Sequence, residues 1–139
     1  MNQFYNHKSF IDLNDSQKEA VKDLDGPLLV LSGAGTGKTR VLTARLANLL
    51  YSNTTKAWKI LAVTFTNKAA KEMRTRLEGL IGPMANSVWL GTFHSIGARI
   101  LRENAELVGL NSNYTIITPD DQIRLLKQIM LDEDIDIKK

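Results

Sequence analysis

The feature that most constrains this chain is an apolar run that leads directly into a glycine-rich loop and then into a helical pattern. Residues 28–31 (LLVL) predict a short parallel strand that is buried on both faces. Residues 40–50 carry apolar side chains at helical spacing. The loop between them reads Ser32-Gly33-Ala34-Gly35-Thr36-Gly37-Lys38-Thr39. A strand, such a loop and a helix in this order predict a phosphate-binding loop.

The residue types of the loop suit a nucleoside triphosphate with Mg²⁺. Glycines let successive backbone amides turn into one concavity, and the helix that follows points its positive end at the same place. Lys38 is expected to reach the β- and γ-phosphates and is the candidate catalytic residue, while the Thr39 hydroxyl is the candidate Mg²⁺ ligand. The alternative, a glycine-rich turn with a solvated lysine, does not explain the strand and helix on either side. We therefore expect ATP and Mg²⁺ as cofactors.

Strands and helices alternate in the first two thirds of the chain. Residues 60–65 and 88–93 are further strand candidates, and a helix is expected from Thr66 or Asn67 to Gly79. Residues 1–12 are expected to form a loosely attached arm. A helix should begin at Asn14, where Gln17 completes a capping box. The pattern indicates an α/β domain with a parallel sheet flanked by helices, followed from about residue 95 by helices alone.

Composition narrows the class of protein. The chain has no cysteine and two histidines, so disulfides, zinc ribbons and a histidine metal site are not expected. No apolar run is long enough to span a membrane, and no secretory signal is visible, so a cytoplasmic protein without a membrane partner is expected. A net charge of +3 is compatible with a polyanionic partner without requiring one.

Four stretches together resemble one family. They are LNDSQKEAV from residue 13, SGAGTGKTR from residue 32, VTFTNKAA from residue 63 and GTFHS from residue 91. In this order they resemble the superfamily 1 DNA helicases of the UvrD/Rep/PcrA type. The resemblance implies a RecA-like P-loop NTPase fold. Residues 1–91 would be the N-terminal part of the first ATP-binding motor domain, and residues 92–139 the beginning of a helical inserted subdomain.

The resemblance also assigns residues to the adenine base of the nucleotide. It implies that Gln17 reads the adenine edge and that Arg40 lies against the adenine face. Gln17 could instead serve only the capping box, and Arg40 could be a solvated helix residue. The loop residues Ser32 to Thr39 would hold the phosphates.

DNA contacts follow from the other two motifs. The resemblance implies that Phe65 stacks on bases of single-stranded DNA, with Asn67 at the sugar and phosphate, and that Thr92 and His94 lie along the same strand. Phe65 could instead be a core residue, and His94 a structural hydrogen-bonding group.

Hydrolysis needs an acidic pair after a buried strand. Asp132 and Glu133 have the right residue types, but the apolar positions before them fall at helical spacing and place them at a helix end. Asp120 and Asp121 follow Pro119 and mark a helix start. The acidic pair, the arginine that senses the γ-phosphate and the remaining motor domains are expected later in a longer chain, of which these residues are an N-terminal fragment.

The expected function is thus the ATP-binding part of an ATP-dependent 3′–5′ DNA helicase that moves on single-stranded DNA, with duplex junctions as substrates, in DNA repair or replication. The fragment alone is expected to be inactive. The alternative is a nucleotide-binding module without turnover. A small-molecule kinase is disfavoured, because residues 95–139 do not resemble a lid and acceptor site.

Overall fold

A computed structural model describes residues 3–135, which fall into two compact units, one up to Ala98 and one from Arg99. Short 3-10 turns connect several of the regular elements. The helices are α1 (Lys8–Ile11), α2 (Asp15–Lys22), α3 (Lys38–Tyr51), α4 (Asn67–Ile81), α5 (Phe93–Glu103) and α6 (Pro119–Asp132), and the strands are β1 (Leu61–Thr64) and β2 (Trp89–Thr92). The mixed α/β class predicted from the sequence is confirmed.

Helix starts follow local capping chemistry. Asn14 caps α2: its side chain accepts from the Gln17 amide at 2.9 Å, and Gln17 Oε1 accepts from the Asn14 amide at 3.1 Å. Thr66 caps α4 by accepting from the Ala69 amide. Both starts were predicted, because a cap needs only residues within one turn of each other.

The sheet of the first unit has two strands. β1 and β2 run parallel, with Leu61 opposite Trp89 and Thr64 opposite Thr92. Helix α4 connects the two strands and packs against them. Apolar side chains from α3, α4 and the strands form one buried cluster, whose largest members are Leu46, Ile60, Met73, Leu77, Val88 and Leu90.

The strand predicted at residues 28–31 is wrong for this structure. These residues have no regular structure, and Leu29 and Leu31 are 80% and 85% exposed. A strand is stable only when its amides and carbonyls pair with a neighbour. Neither β1 nor β2 pairs with residues 28–31 in this structure.

The loosely attached arm predicted at residues 1–12 is also wrong for the part that the structure describes, residues 3–12. Phe4 is fully buried and Phe10 nearly so, in a second cluster with Leu13 and Val21 of the N-terminal region and with α3 residues Val41, Ala44 and Ala47. The Phe4 ring stacks on Tyr51 with centroids 5.6 Å apart. The arm is therefore part of the core beneath α3.

Helix α3 is tied to α2 by polar side chains as well. The buried Asn48 amide donates to the Val21 carbonyl at 2.8 Å, and Arg45 donates to the carbonyls of Ala20 and Asp23. These bonds satisfy carbonyls at the end of α2, which otherwise lack partners.

The second unit contains the end of α5 and the whole of α6. Thr118 caps α6, with Pro119 in its first turn, and hydrogen bonds from Thr118 lower the pKa of Asp121 below its ordinary value. Asp132 is the last residue of α6 and Glu133 is its C-cap, so the prediction that these acids sit at a helix end is confirmed. No helix within residues 3–135 has the length and apolar character to cross a bilayer.

Phe4 and Phe65 offer a matched test of whether the N-terminal arm is packed in the core. Phe4→Ala should lower the free energy of unfolding by about 3–5 kcal/mol, because it empties a fully enclosed site. Phe65→Ala removes a ring that is 92% exposed and should change it by less than about 0.5 kcal/mol. Urea unfolding followed by circular dichroism measures both. Equal effects of the two substitutions would contradict the packing of the arm.

Candidate functional site

The loop of residues 32–37 ends where α3 begins, at a glycine with an unusual backbone. Gly37 is the N-cap of α3 and has φ +87°, and Gly35 has φ +75°. Side-chain-bearing residues rarely adopt these angles. No side chain caps α3. Its first-turn amides therefore remain available, at the positive end of a 14-residue helix, for an anion.

Lys38 folds back over the loop. Its Nζ donates to the carbonyl of Gly33 at 2.6 Å and to that of Ser32 at 3.0 Å. Thr36 Oγ1 also donates to the Gly33 carbonyl, at 2.8 Å. The ammonium group thus lies within the loop, where a phosphate oxygen could replace the carbonyls as its acceptor.

Thr39 lies in the first turn of α3, and its hydroxyl has no hydrogen-bond partner among residues 3–135. Its carbonyl accepts from Thr43 Oγ1 in the following turn. The free hydroxyl fits the predicted role as an Mg²⁺ ligand, because Mg²⁺ takes oxygen ligands. Within the same residues, no group of three or more His, Cys, Asp or Glu side chains could hold a metal ion.

Gln17 connects α2 to the loop. While its Oε1 serves the capping box, its Nε2 donates to the Thr36 carbonyl at 3.0 Å. A Cβ added at Gly37 would lie 3.2 Å from the same Nε2, so this glycine also makes room for the amide. Gln17 therefore does more than close the capping box. Its contact with adenine stays a prediction.

Arg40 extends from the first turn of α3 towards the N-terminal region. Its Nη2 lies 3.7 Å from Asp12 Oδ2, with both side chains about half exposed. An exposed pair of this length contributes little to stability. The stacking of Arg40 on a base stays a prediction.

A cavity of about 170 Å³ opens beside the loop. Loop residues line it together with residues of α2, α3 and the 28–31 run; these are Asn14, Ser16, Gln17, Ala20, Val30, Leu31, Ser32, Thr36, Lys38 and Val41. This cavity is therefore lined by four of the candidate residues, Gln17, Ser32, Thr36 and Lys38. Arg40 does not line it.

The candidate DNA residues lie at the carboxyl edge of the sheet. Because Thr64 and Thr92 are opposite each other in parallel strands, the segments that follow them leave the sheet side by side. Phe65 is 92% exposed, which excludes the alternative that it is a core residue here. Asn67 and His94 are exposed in the first turns of α4 and α5. Their contacts with DNA stay predictions.

Thr92 differs in burial from the other three candidate DNA residues. Its side chain is buried, and its hydroxyl accepts from the Ser95 amide at 3.2 Å while Ser95 Oγ accepts from the Thr92 amide at 2.9 Å. Thr92 therefore sets the start of α5. Sequence reasoning missed its neighbour Phe93, which is 68% exposed at the same edge. The signal was present in the sequence, since Phe93 follows a strand end as Phe65 does.

The family description "UvrD/REP helicase N-terminal domain" matches residues 13–139 of this chain. The chain belongs to this family. The resemblance inferred from the four motifs is confirmed. The UvrD/REP match includes the phosphate loop, the segment after β1 and the segment after β2.

The curated relatives that the chain matches are helicases, which agrees with the family match. The chain is 48% identical over 139 residues to the ATP-dependent DNA helicase PcrA of Staphylococcus aureus, covering 100% of this chain and 18% of the relative. It is 50% identical over 127 residues to the PcrA protein of Bacillus subtilis, covering 91% of this chain and 17% of the relative. The chain thus spans less than a fifth of the length of these relatives.

Substituting Gln17 separates its two hydrogen bonds. In Gln17→Glu a carboxylate oxygen can still accept from the Asn14 amide, but no group donates to the Thr36 carbonyl. We expect an unchanged unfolding temperature and an affinity for Mg-ATP about fivefold weaker, the equivalent of one hydrogen bond. Gln17→Ala, which removes both hydrogen bonds, should lower the unfolding temperature as well as the affinity for Mg-ATP. Isothermal calorimetry and thermal unfolding measure the two quantities.

The added negative charge of Gln17→Glu needs its own control. Ser16 lines the same cavity and takes no part in the Gln17–Thr36 hydrogen bond, so Ser16→Glu adds the charge while keeping that bond. Its affinity for Mg-ATP should exceed that of Gln17→Glu. If the two variants bind equally, the Gln17–Thr36 bond has no part in nucleotide binding.

Proposed function

We propose that this chain is the ATP-binding part of an ATP-dependent DNA helicase that moves 3′ to 5′ along single-stranded DNA and acts at duplex junctions. The observation that carries the proposal is the Lys38 ammonium group held inside a loop at the uncapped start of α3, in a chain of the UvrD/REP family. DNA repair or replication in the cytoplasm is the expected setting. The other motor domains of a longer protein would be its partners.

Each part of Mg-ATP has residues that suit it. The amides of residues 33–38 and the Lys38 ammonium group would hold the phosphates, and Thr39 Oγ1 would hold Mg²⁺. Gln17 and Arg40 would meet the base. Bound Mg-ATP would supply the phosphoanhydride bond whose hydrolysis drives movement. Because Lys38 Nζ now contacts two carbonyls, phosphate binding would exchange them for anionic oxygens, which form stronger hydrogen bonds.

The RecA-like sheet belongs to the same proposal. β1 and β2 run parallel and are connected by α4. We propose that they are two strands of a RecA-like parallel sheet. Residues 1–91 would then belong to the motor domain and residues 92–139 to the inserted helical subdomain.

The DNA part of the proposal rests on the carboxyl edge of the sheet. Phe65 would stack on a base, and Asn67 and His94 would contact the backbone. Thr92, which is buried, would contribute by fixing the start of α5.

A second candidate function, a nucleotide-binding module without turnover, is favoured for these 139 residues taken alone. Asp132 and Glu133 lie at the end of α6 in the second unit and not after a strand. The chain would then bind Mg-ATP without hydrolysing it.

Lys38→Ala tests the phosphate site. The substitution should weaken Mg-ATP binding by about 10- to 100-fold, because it removes a charged donor from the phosphates. Lys127→Ala, on the exposed face of α6, is the matched control and should bind as the unaltered chain does. Calorimetric titration with Mg-ATP measures both. Unchanged binding by Lys38→Ala would remove the basis of the proposed nucleotide site.

Phosphate release with and without single-stranded DNA separates the two candidate functions. We expect no DNA-stimulated turnover from the 139-residue chain. Turnover that DNA stimulates and that Lys38→Ala abolishes would show that these residues hydrolyse ATP by themselves, and the module without turnover would be discarded.

A further inference from the structure

The carbonyl oxygen of Gly33 accepts hydrogen bonds from two side chains of the glycine-rich loop and α3. Lys38 Nζ donates to it at 2.6 Å, and Thr36 Oγ1 donates to it at 2.8 Å. A carbonyl oxygen has two lone pairs, so it can hold both donors together. The Thr36 hydroxyl therefore shares an acceptor with the ammonium group that the proposed function assigns to the phosphates.

Thr36 is held in place from its other side as well. Its own carbonyl accepts from Gln17 Nε2 at 3.0 Å, and Gln17 is in turn fixed by the capping box with Asn14. The four residues Gln17, Thr36, Gly33 and Lys38 are thus joined by consecutive hydrogen bonds. Because the Thr36 hydroxyl is ordered before any ligand arrives, its bond to Gly33 adds no ordering cost to binding.

The binding of a phosphate group would change the partners of the Gly33 carbonyl. Anionic oxygens are stronger acceptors for an ammonium group than carbonyls are, so Lys38 Nζ would turn from the loop to the phosphate. The carbonyl would then keep Thr36 Oγ1 as its side-chain donor. Without that hydroxyl, the carbonyl and the phosphate would compete for one ammonium group, and releasing Lys38 would cost more.

We propose that Thr36 is a positioning residue, whose hydroxyl holds the Gly33 carbonyl and so frees Lys38 for the phosphates. The proposal rests on the proposed nucleotide site and adds a role that involves no contact between Thr36 Oγ1 and the ligand. In the free chain, removing the hydroxyl leaves the Gly33 carbonyl bonded to Lys38. In the complex, the same change leaves that carbonyl with no side-chain donor. The hydroxyl thus raises the affinity for phosphate without raising the stability of the free chain.

A double-substitution cycle with Lys38 tests this dependence. Thr36→Val replaces the hydroxyl with a methyl group, and Thr36→Ser keeps the hydroxyl. Thr36→Val should weaken Mg-ATP binding about fivefold, the equivalent of one hydrogen bond, and leave the unfolding temperature unchanged. Thr36→Ser should bind Mg-ATP as the unaltered chain does. Calorimetric titration and thermal unfolding measure the two quantities.

The Lys38→Ala background gives the second half of the cycle. There the Thr36 hydroxyl is the side-chain donor to Gly33 in the free and the bound state alike. Adding Thr36→Val should therefore change the affinity for Mg-ATP by less than about twofold, and should lower the unfolding temperature. Equal weakening by Thr36→Val with and without Lys38 would show that the hydroxyl acts on the nucleotide directly, and would overturn the proposal.

Mg-tripolyphosphate, which carries no base, separates this role from an effect that passes through Gln17. Thr36→Val should weaken its binding about fivefold, as for Mg-ATP, because the proposed exchange concerns only the phosphates. A loss that is confined to Mg-ATP would assign the effect to Gln17 and the base, and the proposed role of Thr36 would be rejected.

Ser52 supplies the matched control. Its Oγ also donates to a main-chain carbonyl, that of Asn48 at 2.6 Å, but at the opposite end of α3. Ser52→Ala should leave the affinity for both probes unchanged. A loss equal to that of Thr36→Val would show a general effect of hydroxyl groups on α3 and contradict the proposal.

The remaining outcomes distinguish this proposal from the proposed function. If Lys38→Ala weakens Mg-ATP binding and Thr36→Val does not, the nucleotide site stands and the role of Thr36 is rejected. If the unaltered chain binds neither Mg-ATP nor Mg-tripolyphosphate, the proposed nucleotide site fails, and the role of Thr36 fails with it.

Discussion

The burial of helix α3 is the constraint on which the rest of the first unit depends. Leu46 packs into the cluster beneath the sheet, whereas Val41, Ala44 and Ala47 pack against the N-terminal aromatic residues. The Asn48 amide, fully buried, donates to the carbonyl of Val21 and so fixes α2 against α3. A close-packed helix of this kind cannot shift without opening cavities. The direction of its N-terminus, and with it the position of the phosphate loop, is therefore set by the core.

The glycine-rich loop and the carboxyl edge of the sheet use helix N-termini in different ways. At α3 the N-cap is Gly37, which offers no side chain, so the amides stay open to an anion as large as a triphosphate. At α4 and α5 the hydroxyls of Thr66 and Thr92 take up one amide each. What remains exposed there is the ring of Phe65 or Phe93 beside a few free donors. The difference between a glycine cap and a side-chain cap thus distinguishes the proposed phosphate site from the proposed DNA contacts.

The two wrong predictions from sequence share a physical cause. Residues 28–31 have the composition of a buried strand, but a strand forms only where another strand supplies hydrogen-bond partners. Phe4 and Phe10 lie in turns too short for a periodic pattern, and their burial depends on α3, more than 25 positions away. The buried hydroxyl of Thr92 is a similar case, since its burial comes from the packing of β2 against β1 and α4. In each case the deciding contact is distant in sequence.

Elements whose causes are local could be predicted from the sequence. The capping box at Asn14, the helix start at Pro119 and the glycine loop before α3 all depend on residues a few positions apart, and so do the strands predicted at 60–65 and 88–93, which form at Leu61–Thr64 and Trp89–Thr92. The contacts between side chains of distant segments depend on the folded unit. It placed Gln17 on the Thr36 carbonyl, turned Lys38 onto the loop and set Phe93 beside the segment of Phe65. Hydrogen bonds and packing between distant segments form only when the whole unit is folded, so no local pattern encodes them.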